Sequence, residues 1–494
     1  MSADLPVSLY TAAQVRELDR RAIEGHGIPG YTLMCRAGAA ALDRLRRQWP
    51  KARTLAVCCG PGNNGGDGYV LARLALAAGL SVRVVAATDP VRLHGEAARA
   101  WQDWQACDQP LSTPDEALEG ADVIVDGLLG TGLVRPVEGD MAHLIRRINQ
   151  AGKPVLALDI PSGLNADTGA VMGGVVAADL TLSFIGLKLG LMTGAGPACR
   201  GALFLDGLGV PDSVYQDLPP VARRVLPERP RGFPRRPRDA HKGHFGHVLM
   251  IGGGLGMPGA VRLAGEAAAR VGAGLVTLAT HPDHARLIPQ ARPELMCHGI
   301  QRPGDLEVLL ARAGVVAVGP GLGTDDWGRR VWARLKDWTG PMVVDADALN
   351  LLAAAPHCRE HWILTPHPGE AGRLLGRATA EIQADRPGAA TAISGRYGGV
   401  CVLKGAGSLI RDASGLSLCD TGNPGMASGG MGDVLTGIIA GLLAQQLPVG
   451  GTLGESAALG CWVHGAAADR AARSGERGLL ASDLLCHLRE VINP

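Results

Sequence analysis

The chain lacks a charge imbalance, a long apolar run and a paired-cysteine motif. Its 494 residues carry 48 Lys and Arg against 47 Asp and Glu, a net charge of +1, so the composition does not favour a nucleic acid or an anionic membrane as a partner. The most apolar stretch, residues 434–444, is too short to span a bilayer, and the first residues lack the pattern of a signal peptide. We therefore expect a protein without a membrane segment.

The eleven cysteines are scattered, and none belongs to a Cys-x-x-Cys pair. Several of them, such as Cys58, Cys59 and Cys401, lie in apolar segments that are typical of buried strands. Because thiols of this kind are typical of a reducing compartment, we expect a cytoplasmic protein. The length and the 46% apolar content predict two or more globular domains.

Lysine is also scarce, with six in the chain against 42 arginines. One of them, Lys404, follows the apolar segment Val400–Leu403 and begins the sequence Lys-Gly-Ala-Gly-Ser. This predicts a buried strand that leads into a phosphate-binding type of loop, with a plain hairpin turn as the alternative. The chain has no Gly-x-x-x-x-Gly-Lys-Ser/Thr, so this is not a Walker A loop.

A glycine-rich segment, residues 423–433, ends in Gly432 and Asp433 and leads into an apolar, helix-like stretch. Glycines and the positive end of a helix together favour an anion such as phosphate. Because such an anion would repel Asp433, a general base fits this position better than the alternative, a helix cap. The order of strand, Lys-Gly loop, hairpin and glycine-rich helix start resembles the nucleotide half of the ribokinase-like fold.

Residues 219–238 interrupt the apolar periodicity with six prolines and seven arginines. We interpret them as a semi-rigid connector, with a basic patch for a polyanionic partner as the alternative. The predicted domains are residues 1–222 and 223–494. Both halves alternate short strand-like and helix-like segments, which predicts two α/β domains with largely parallel sheets.

In the first half, the predicted strand Thr54–Cys59 leads into a glycine-rich loop, residues 60–68, with a helix expected from Tyr69. The loop contains Gly-x-Gly-x-x-Gly, but Asp89 comes two residues too late for a dinucleotide fingerprint, which disfavours an ordinary dehydrogenase. Its amide and carboxylate oxygens suit a phosphate-bearing ligand together with a hard monovalent cation; they belong to Asn63, Asn64 and Asp67.

Two further carboxylates, Asp126 and Asp159, end predicted strands of the same half, and Ser162 follows Asp159 closely. Because parallel strands present their carboxyl ends at one edge of a sheet, we expect these side chains and Asn64 to converge on one crevice. Helix capping is the alternative explanation for each carboxylate.

With these motifs in place, the whole chain resembles the bifunctional NAD(P)H-hydrate repair enzymes, in which an NAD(P)HX epimerase is fused to an ADP-dependent (S)-NAD(P)H-hydrate dehydratase. The motifs that match are residues 63–67, 130–136, 159–163, 319–323, 345–350, 365–370, 404–408 and 423–433. The resemblance implies a Rossmann-like three-layer domain followed by a ribokinase-like α/β domain, and we expect a homo-oligomer. The implied ligands are NADHX, NADPHX and ADP.

For the first half, the resemblance implies that K⁺ binds to Asn64, Asp126 and Ser162. It implies that the following residues contact NAD(P)HX: Asn63, Asn64, Gly65, Gly66, Asp67, Gly130, Thr131, Gly132, Leu133, Val134, Arg135, Pro136 and Asp159. Inversion at C6 of the substrate ring requires an iminium or a ring-opened species, and Asp159 is the expected acid or base.

For the second half, the resemblance implies that the hydrate contacts Ala260, Gly321, Gly323, His367 and Asp433. It implies that ADP contacts Lys404, Gly405, Ala406, Gly407, Ser408 and Gly432. Asp433 is the expected catalytic base, and Mg²⁺ is expected with the nucleotide, although no motif identifies its ligands. His367 lies between two prolines, so a structural role is an equal alternative.

Two rival functions fit part of the chain. A kinase of vitamin precursors or sugars would use Asp433 and the two glycine loops in the same way, but it would need ATP and would leave the first half without a task. The first half also resembles the apolipoprotein A-I-binding protein, which makes a non-enzymatic binding module the second rival.

Overall fold

The structure, a computed structural model, describes residues 5–226 and 235–493. It divides into two compact units, Met1–Arg223 and Arg224–Pro494. Residues 227–234 of the predicted connector lie outside the described residues. The predicted boundary after residue 222 falls within a short strand, β8, because this strand covers Ala222–Arg224.

The first unit contains eight strands and seven α-helices within the described residues. The strands are β1 (Ser8–Leu9), β2 (Thr54–Cys59), β3 (Ser81–Ala86), β4 (Val123–Gly127), β5 (Val155–Leu158), β6 (Leu180–Phe184), β7 (Ala202–Asp206) and β8 (Ala222–Arg224). The helices are α1 (Ala12–Arg20), α2 (Gly30–Gln48), α3 (Asn63–Ala77), α4 (Gly95–Gln105), α5 (Pro114–Glu119), α6 (Gly139–Gln150) and α7 (Gly196–Cys199).

Six of these strands form one parallel sheet in the order β3-β2-β4-β5-β6-β7. Successive residues of β2 alternate between two cores: Leu55 and Val57 belong to one apolar cluster, and Ala56 and Cys58 belong to the other. A sheet with a buried core on both faces is the middle layer of three. The predicted three-layer, Rossmann-like domain is thus confirmed.

The second unit continues with nine strands and eleven α-helices among the described residues. The strands are β9 (His247–Ile251), β10 (Leu275–Thr280), β11 (Met296–Gly299), β12 (Val315–Val318), β13 (Met342–Val344), β14 (Trp362–Leu364), β15 (Val400–Leu403), β16 (Ser408–Asp412) and β17 (Gly415–Cys419). The helices are α8 (Pro258–Arg270), α9 (Ile288–Ala291), α10 (Pro303–Leu310), α11 (Asp326–Arg334), α12 (Ala346–Ala354), α13 (Pro368–Leu375), α14 (Thr379–Ala384), α15 (Arg386–Tyr397), α16 (Met431–Gln446), α17 (Leu453–Ala471) and α18 (Ala481–Ile492).

The strands of this unit follow the order β17-β16-β15-β14-β13-β12-β9-β10-β11. Those from β15 to β11 are parallel, whereas β16 pairs antiparallel with both β15 and β17. The predicted succession of strand, Lys-Gly loop, hairpin and glycine-rich helix start is therefore confirmed in β15, β16, β17 and α16. It agrees with the expected ribokinase-like fold.

Helix α16 is the central helix of the second unit, and its glycines explain how it reaches that place. An added Cβ at Gly437 would lie 2.0 Å from the carbonyl oxygen of Ala264 in α8, and one at Gly441 would lie 2.7 Å from the carbonyl oxygen of Ala268. The two helices therefore touch backbone to backbone. Among the described residues, Met431–Val449 also has the length and hydropathy of a membrane span, but 61% of that window is buried inside the protein.

The start of α3 differs from the prediction. The helix begins at Asn63 rather than Tyr69, so most of the predicted loop forms its first turns. The glycines are needed for packing, because a Cβ on Gly65 would lie 2.1 Å from the carbonyl oxygen of Gly60, and one on Gly66 would lie 2.6 Å from the side chain of Met34. Close tertiary contact therefore overrides the low helix propensity of glycine.

Candidate active sites

The first unit contains a cavity of about 950 Å³ beyond the carboxyl ends of its parallel strands. Most of the predicted substrate-binding residues line it: Asn63, Asn64, Asp67, Gly130, Thr131, Gly132, Leu133, Val134, Arg135, Pro136 and Asp159. Gly65 and Gly66 lie behind this wall, where they allow the close packing of α3. A crevice with the size of a small-molecule site is therefore present where parallel strands predict it, and Asn64 and Asp159 line it. Asp126 and Ser162, which were expected in the same crevice, are fully buried and do not line it.

The three proposed cation ligands meet around the backbone of Leu129. The Asn64 side-chain amide donates to the Leu129 carbonyl oxygen at 3.2 Å, and Ser162 Oγ accepts a hydrogen bond from the Leu129 N–H at 2.8 Å. Ser162 also donates to Asp126, from Oγ at 2.6 Å and from its backbone N–H at 2.8 Å. Asp126 caps no described helix, because α6 begins after Glu138.

This cluster fits a weakly hydrated cation such as K⁺. Within the described residues, Asn64 Oδ1 is buried and has no hydrogen-bond partner. Burial raises the pKa of Asp126 to about 6, against the lowering effect of hydrogen bonds from Ser162 and Leu128. A bound cation would supply the missing partner and would favour the ionised carboxylate.

Asp159 is held by a fully buried lysine that the sequence motifs did not identify. Lys188 donates from Nζ to Asp159 Oδ1, to Ser183 Oγ at 3.0 Å and to the Phe184 carbonyl oxygen at 3.0 Å, which uses all three of its protons. Asp159 also accepts from the Phe184 N–H at 3.1 Å and has a left-handed backbone, with φ of 65°. The lysine therefore fixes the orientation of the Asp159 carboxyl group in the wall of the cavity.

The same cavity is lined by Asp19, from α1, as well as by Asp67. Burial raises the pKa of Asp67 well above its usual value, and the negative charges of Asp159 and Asp19 add to this effect. Burial likewise raises the pKa of Asp19 to about 6, with Lys188 acting against the shift. Scarcity of lysine, the signal used for Lys404, would have identified Lys188, but no local motif points to Asp19.

In the second unit, Lys404 lies among acidic side chains at the carboxyl ends of β13, β14 and β15. Its Nζ is 2.7 Å from Asp345 Oδ1 and 3.8 Å from Glu370 Oε2. The buried Asp345 also accepts hydrogen bonds from Thr365 Oγ1 and from Thr436 Oγ1, both at 2.8 Å. Asp345 therefore links the Lys404 side chain to the first turns of α16.

Asp433 lies in the first turn of α16 but does not cap it. The N-cap is Gly430, which has a left-handed backbone and no side-chain hydrogen bond, so the helix-cap alternative is wrong. Burial and the negative charges of Asp345, Asp347 and Glu370 raise the pKa of Asp433 to about 7, whereas the positive charge of Lys404 acts to lower it. A carboxyl with this pKa can act as a general base near neutral pH.

The buried Arg386 holds the loop of residues 404–408 in place through hydrogen bonds to the backbone. The guanidinium donates to the carbonyl oxygens of Leu403, Lys404 and Gly407, at 3.3 to 3.5 Å, and burial lowers its pKa to about 10. Gly405 has a φ of 144° and leaves no room for a Cβ, which would lie 2.8 Å from this guanidinium. At the facing helix start, a Cβ on Gly432 would lie 3.3 Å from Lys404 Nζ.

The remaining predicted residues form two groups. Ala260 lies against Gly321, because a Cβ on Gly321 would be 3.1 Å from the Ala260 Cβ, and Asp347 fixes the same loop by accepting from the Gly323 N–H at 2.9 Å. His367 has the structural role left open above: its Nδ1 accepts from the Gly369 N–H at 3.0 Å and caps α13. Its Nε2 lies 3.4 Å from Glu370 Oε1.

The two units thus define a class of protein with two separate α/β sites, each built from carboxylates and a lysine at the ends of parallel strands. A family model described as NAD(P)H-hydrate dehydratase matches residues 248–490, and one described as YjeF-related protein N-terminus matches residues 30–190. The chain belongs to the family of bifunctional NAD(P)H-hydrate repair enzymes.

Relatives of full length support this assignment. The chain is 52% identical to the bifunctional NAD(P)H-hydrate repair enzyme Nnr of Coxiella burnetii, over 98% of this chain and 99% of the relative. It is 45% identical to the protein of the same name from Escherichia coli, over 99% and 95%. Among solved structures, it is similar to the ADP/ATP-dependent NAD(P)H-hydrate dehydratase of Bacillus subtilis, with 31% identity over 52% of this chain and 93% of that chain and a TM-score of 0.46.

Proposed function

We propose that the first unit interconverts the R and S epimers of NADHX and NADPHX, and that the second unit dehydrates the S epimer to NADH or NADPH while ADP becomes AMP and phosphate. Membership of the family supports both activities. The observation that carries the dehydration is Asp433, a carboxyl with a raised pKa at a glycine-rich helix start beside Lys404.

In the dehydration, hydroxide is a poor leaving group and phosphate is a good one. Asp433 takes the proton of the C6 hydroxyl, the terminal phosphoryl group of ADP passes to that oxygen, and the lone pair of the ring nitrogen then expels phosphate to leave an iminium. Loss of a proton from C5 of this iminium to water forms the C5=C6 double bond of NADH or NADPH. Backbone N–H groups at Gly430 to Gly432 and the Lys404 ammonium stabilise the charge on the transferring group. Asp345 positions Lys404 for this task through the 2.7 Å ion pair.

We propose that Mg²⁺ enters with the nucleotide, where it neutralises phosphate charge. Within the described residues, no group of three or more His, Cys, Asp or Glu side chains is arranged to hold a metal ion. Mg²⁺ is commonly bound through substrate phosphates and one or two carboxylates, so this arrangement suits it.

In the epimerisation, Asp159 orients toward the C6 region of the hydrate while Lys188 holds its carboxyl group in place. We propose that Asn64, Asp126 and Ser162 hold K⁺, which would organise the loop that carries Leu129. The phosphates and ribose of the substrate then contact the residue 63–67 and 130–136 segments. Asp67 contributes a carboxyl whose pKa is raised well above its usual value by burial.

We also propose a cytoplasmic location, because all eleven cysteines are free thiols and six of them are buried. The homo-oligomer expected from the sequence stays a prediction, which size-exclusion chromatography with light scattering tests.

Purified R and S epimers of NADHX test the proposed function directly. The S epimer with ADP is expected to yield NADH, AMP and phosphate in equal amounts, and the R epimer is expected to do so only after conversion to S. ATP in place of ADP measures the nucleotide preference, and NADPHX measures the substrate preference. A phosphorylated hydrate as the final product would instead indicate the rival kinase.

A further inference from the structure

The cavity of the first unit contains one more carboxyl than the family resemblance implies. Asp19 comes from α1, a helix to which no motif assigned a role, and it lines the cavity together with Asp67, Asp159 and Lys188. Among the described residues, neither Asp19 nor Asp67 has a side-chain hydrogen-bond partner, whereas Asp159 Oδ1 accepts hydrogen bonds from Lys188 and from the Phe184 N–H. Two carboxyls are therefore free to act on a ligand.

The charge balance of this cluster determines how many protons it holds. Lys188 pairs with Asp159, whereas Asp19 and Asp67 lie on the wall of the same cavity without such a partner. The other charged or titratable groups near Asp19 or on the cavity wall are Arg16, Glu96, Arg135, Glu138 and Tyr215. Burial and the negative charges of Asp159 and Asp19 raise the pKa of Asp67 well above its usual value, which favours Asp67 as the acid and Asp19 as the base.

We propose that Asp19 is a catalytic carboxyl of the epimerisation, which acts as the base while Asp67, on the wall of the same cavity, acts as the acid. The inference rests on the proposed function of the first unit. It assigns to α1 the task of completing the cavity. The cavity that Asp19 lines is the one lined by most of the predicted substrate-binding residues of the 63–67 and 130–136 segments.

The exchange of the hydroxyl at C6 then balances as follows. Protonated Asp67 gives its proton to the C6 hydroxyl, the C6–O bond breaks, and water leaves as the ring-nitrogen lone pair forms the C=N bond of an iminium. A solvent water adds to C6 from the other face and gives its proton to the Asp19 carboxylate. One water has left and one has entered, and transfer of the proton from Asp19 back to Asp67 restores the starting state.

Asp19→Asn tests this proposal, because it keeps the shape of the side chain and removes its acid–base function. The rate of epimerisation above the rate without protein is expected to fall about 10²- to 10⁴-fold. In the wild type, kcat/KM is expected to decline as the pH falls below about 6, where Asp19 takes up a proton, and Asp19→Asn is expected to lose this decline. Glu24→Gln, an exposed charge removal one turn away, is the matched control and keeps both properties.

Asp19→Glu separates chemistry from folding, because it retains a carboxyl at a shifted position. Asp19→Glu is expected to recover part of the rate of epimerisation and the full decline of kcat/KM at low pH. Equal losses of rate in Asp19→Glu and Asp19→Asn would show a structural role and overturn the proposal. If the wild type epimerises and Asp19→Asn keeps its rate and pH profile, the proposal alone fails. If the wild type does not epimerise, the proposed function itself fails.

Discussion

Asp433 acquires its reactivity, at the scale of a single residue, from the groups around it. Burial and three neighbouring carboxylates raise its pKa to about 7, and Lys404 prevents a larger shift. Because the base acts in its ionised form, the rate of dehydration is expected to rise with pH through about 7. The check is kcat/KM for the S epimer at saturating ADP, measured from pH 5 to pH 9; a rate that is flat across this range contradicts the role.

Asp433→Asn keeps the shape of the side chain and removes the base. Dehydration is expected to fall about 10²- to 10⁴-fold, while epimerisation is unchanged. Because the pKa of Asp433 is raised, the folded state binds the proton more tightly than the unfolded state does. The wild type therefore loses stability as the pH rises from the pKa of Asp in the unfolded chain through about 7. At pH 8 the variant should therefore unfold at the same or a higher temperature. Near-normal dehydration would remove Asp433 from the mechanism.

Asp126→Ala tests the cation cluster, because Asp126 is its only full negative charge. Epimerisation is expected to require a far higher K⁺ concentration or to fail, because the remaining oxygens bind the ion too weakly. Dehydration of the S epimer with ADP is the internal control, and Asp43→Ala, an exposed carboxylate on α2, is the matched variant. An unchanged K⁺ dependence in Asp126→Ala would show that Asp126 and Ser162 only brace the Leu129 backbone.

The sequence identified single site residues where chemistry and chain position coincide. Asp159 and Lys404 follow apolar strands directly, so the rule for parallel sheets places them at a ligand edge. The sequence did not assign individual roles to Lys188, Asp19 and Asp345. The role of each depends on a partner between 29 and 140 residues away in the chain, such as Asp159 for Lys188 and Asp19. Only folding brings these groups together.

At the scale of secondary structure, strands were easier to predict than the start of α3. β2 and β15 have the predicted bounds, because a short apolar run that leads into a glycine-containing loop leaves few other options. The α3 prediction was wrong by six residues, because glycine disfavours helices locally and its value here lies in a backbone contact with Gly60. Such a contact does not change the hydrophobic periodicity from which helices are predicted.

Gly65→Ala is the corresponding test. Its new Cβ would lie 2.1 Å from the Gly60 carbonyl oxygen, and forcing it in is expected to destabilise the first unit by about 1–3 kcal/mol. Gly25→Ala in the same unit, where an added Cβ meets nothing within 4 Å, is the control and should be neutral or slightly stabilising. Urea denaturation followed by far-UV circular dichroism compares the two; equal stabilities would contradict the packing explanation.

At the scale of the whole molecule, each unit has its own sheet and its own cores. The cut matters, because Ala222 and Arg223 in β8 pair with β1, while Arg224 forms a buried ion pair with Asp420 at 2.8 Å. Fragments 1–223 and 224–494 keep both interactions and are expected to fold alone.

The expected activities of the fragments follow from the sites they contain. Fragment 1–223 should epimerise without dehydrating, and fragment 224–494 should dehydrate only the S epimer with ADP. Cooperative thermal unfolding of each fragment and product analysis with each epimer check this prediction. Fragments that are insoluble, or active only when mixed, would show that the units depend on each other.

The left-handed backbone of Asp159 limits how this position can change during evolution. A φ of 65° suits Asp, Asn and Gly, whereas β-branched and bulky residues are strained there. Most single-nucleotide changes at the Asp159 codon therefore damage the fold and the chemistry together, and only Asn and Gly remove the carboxylate without backbone strain. Inactive but well-folded descendants of this unit, recruited for binding alone, should accordingly be found to carry Asn or Gly at this position.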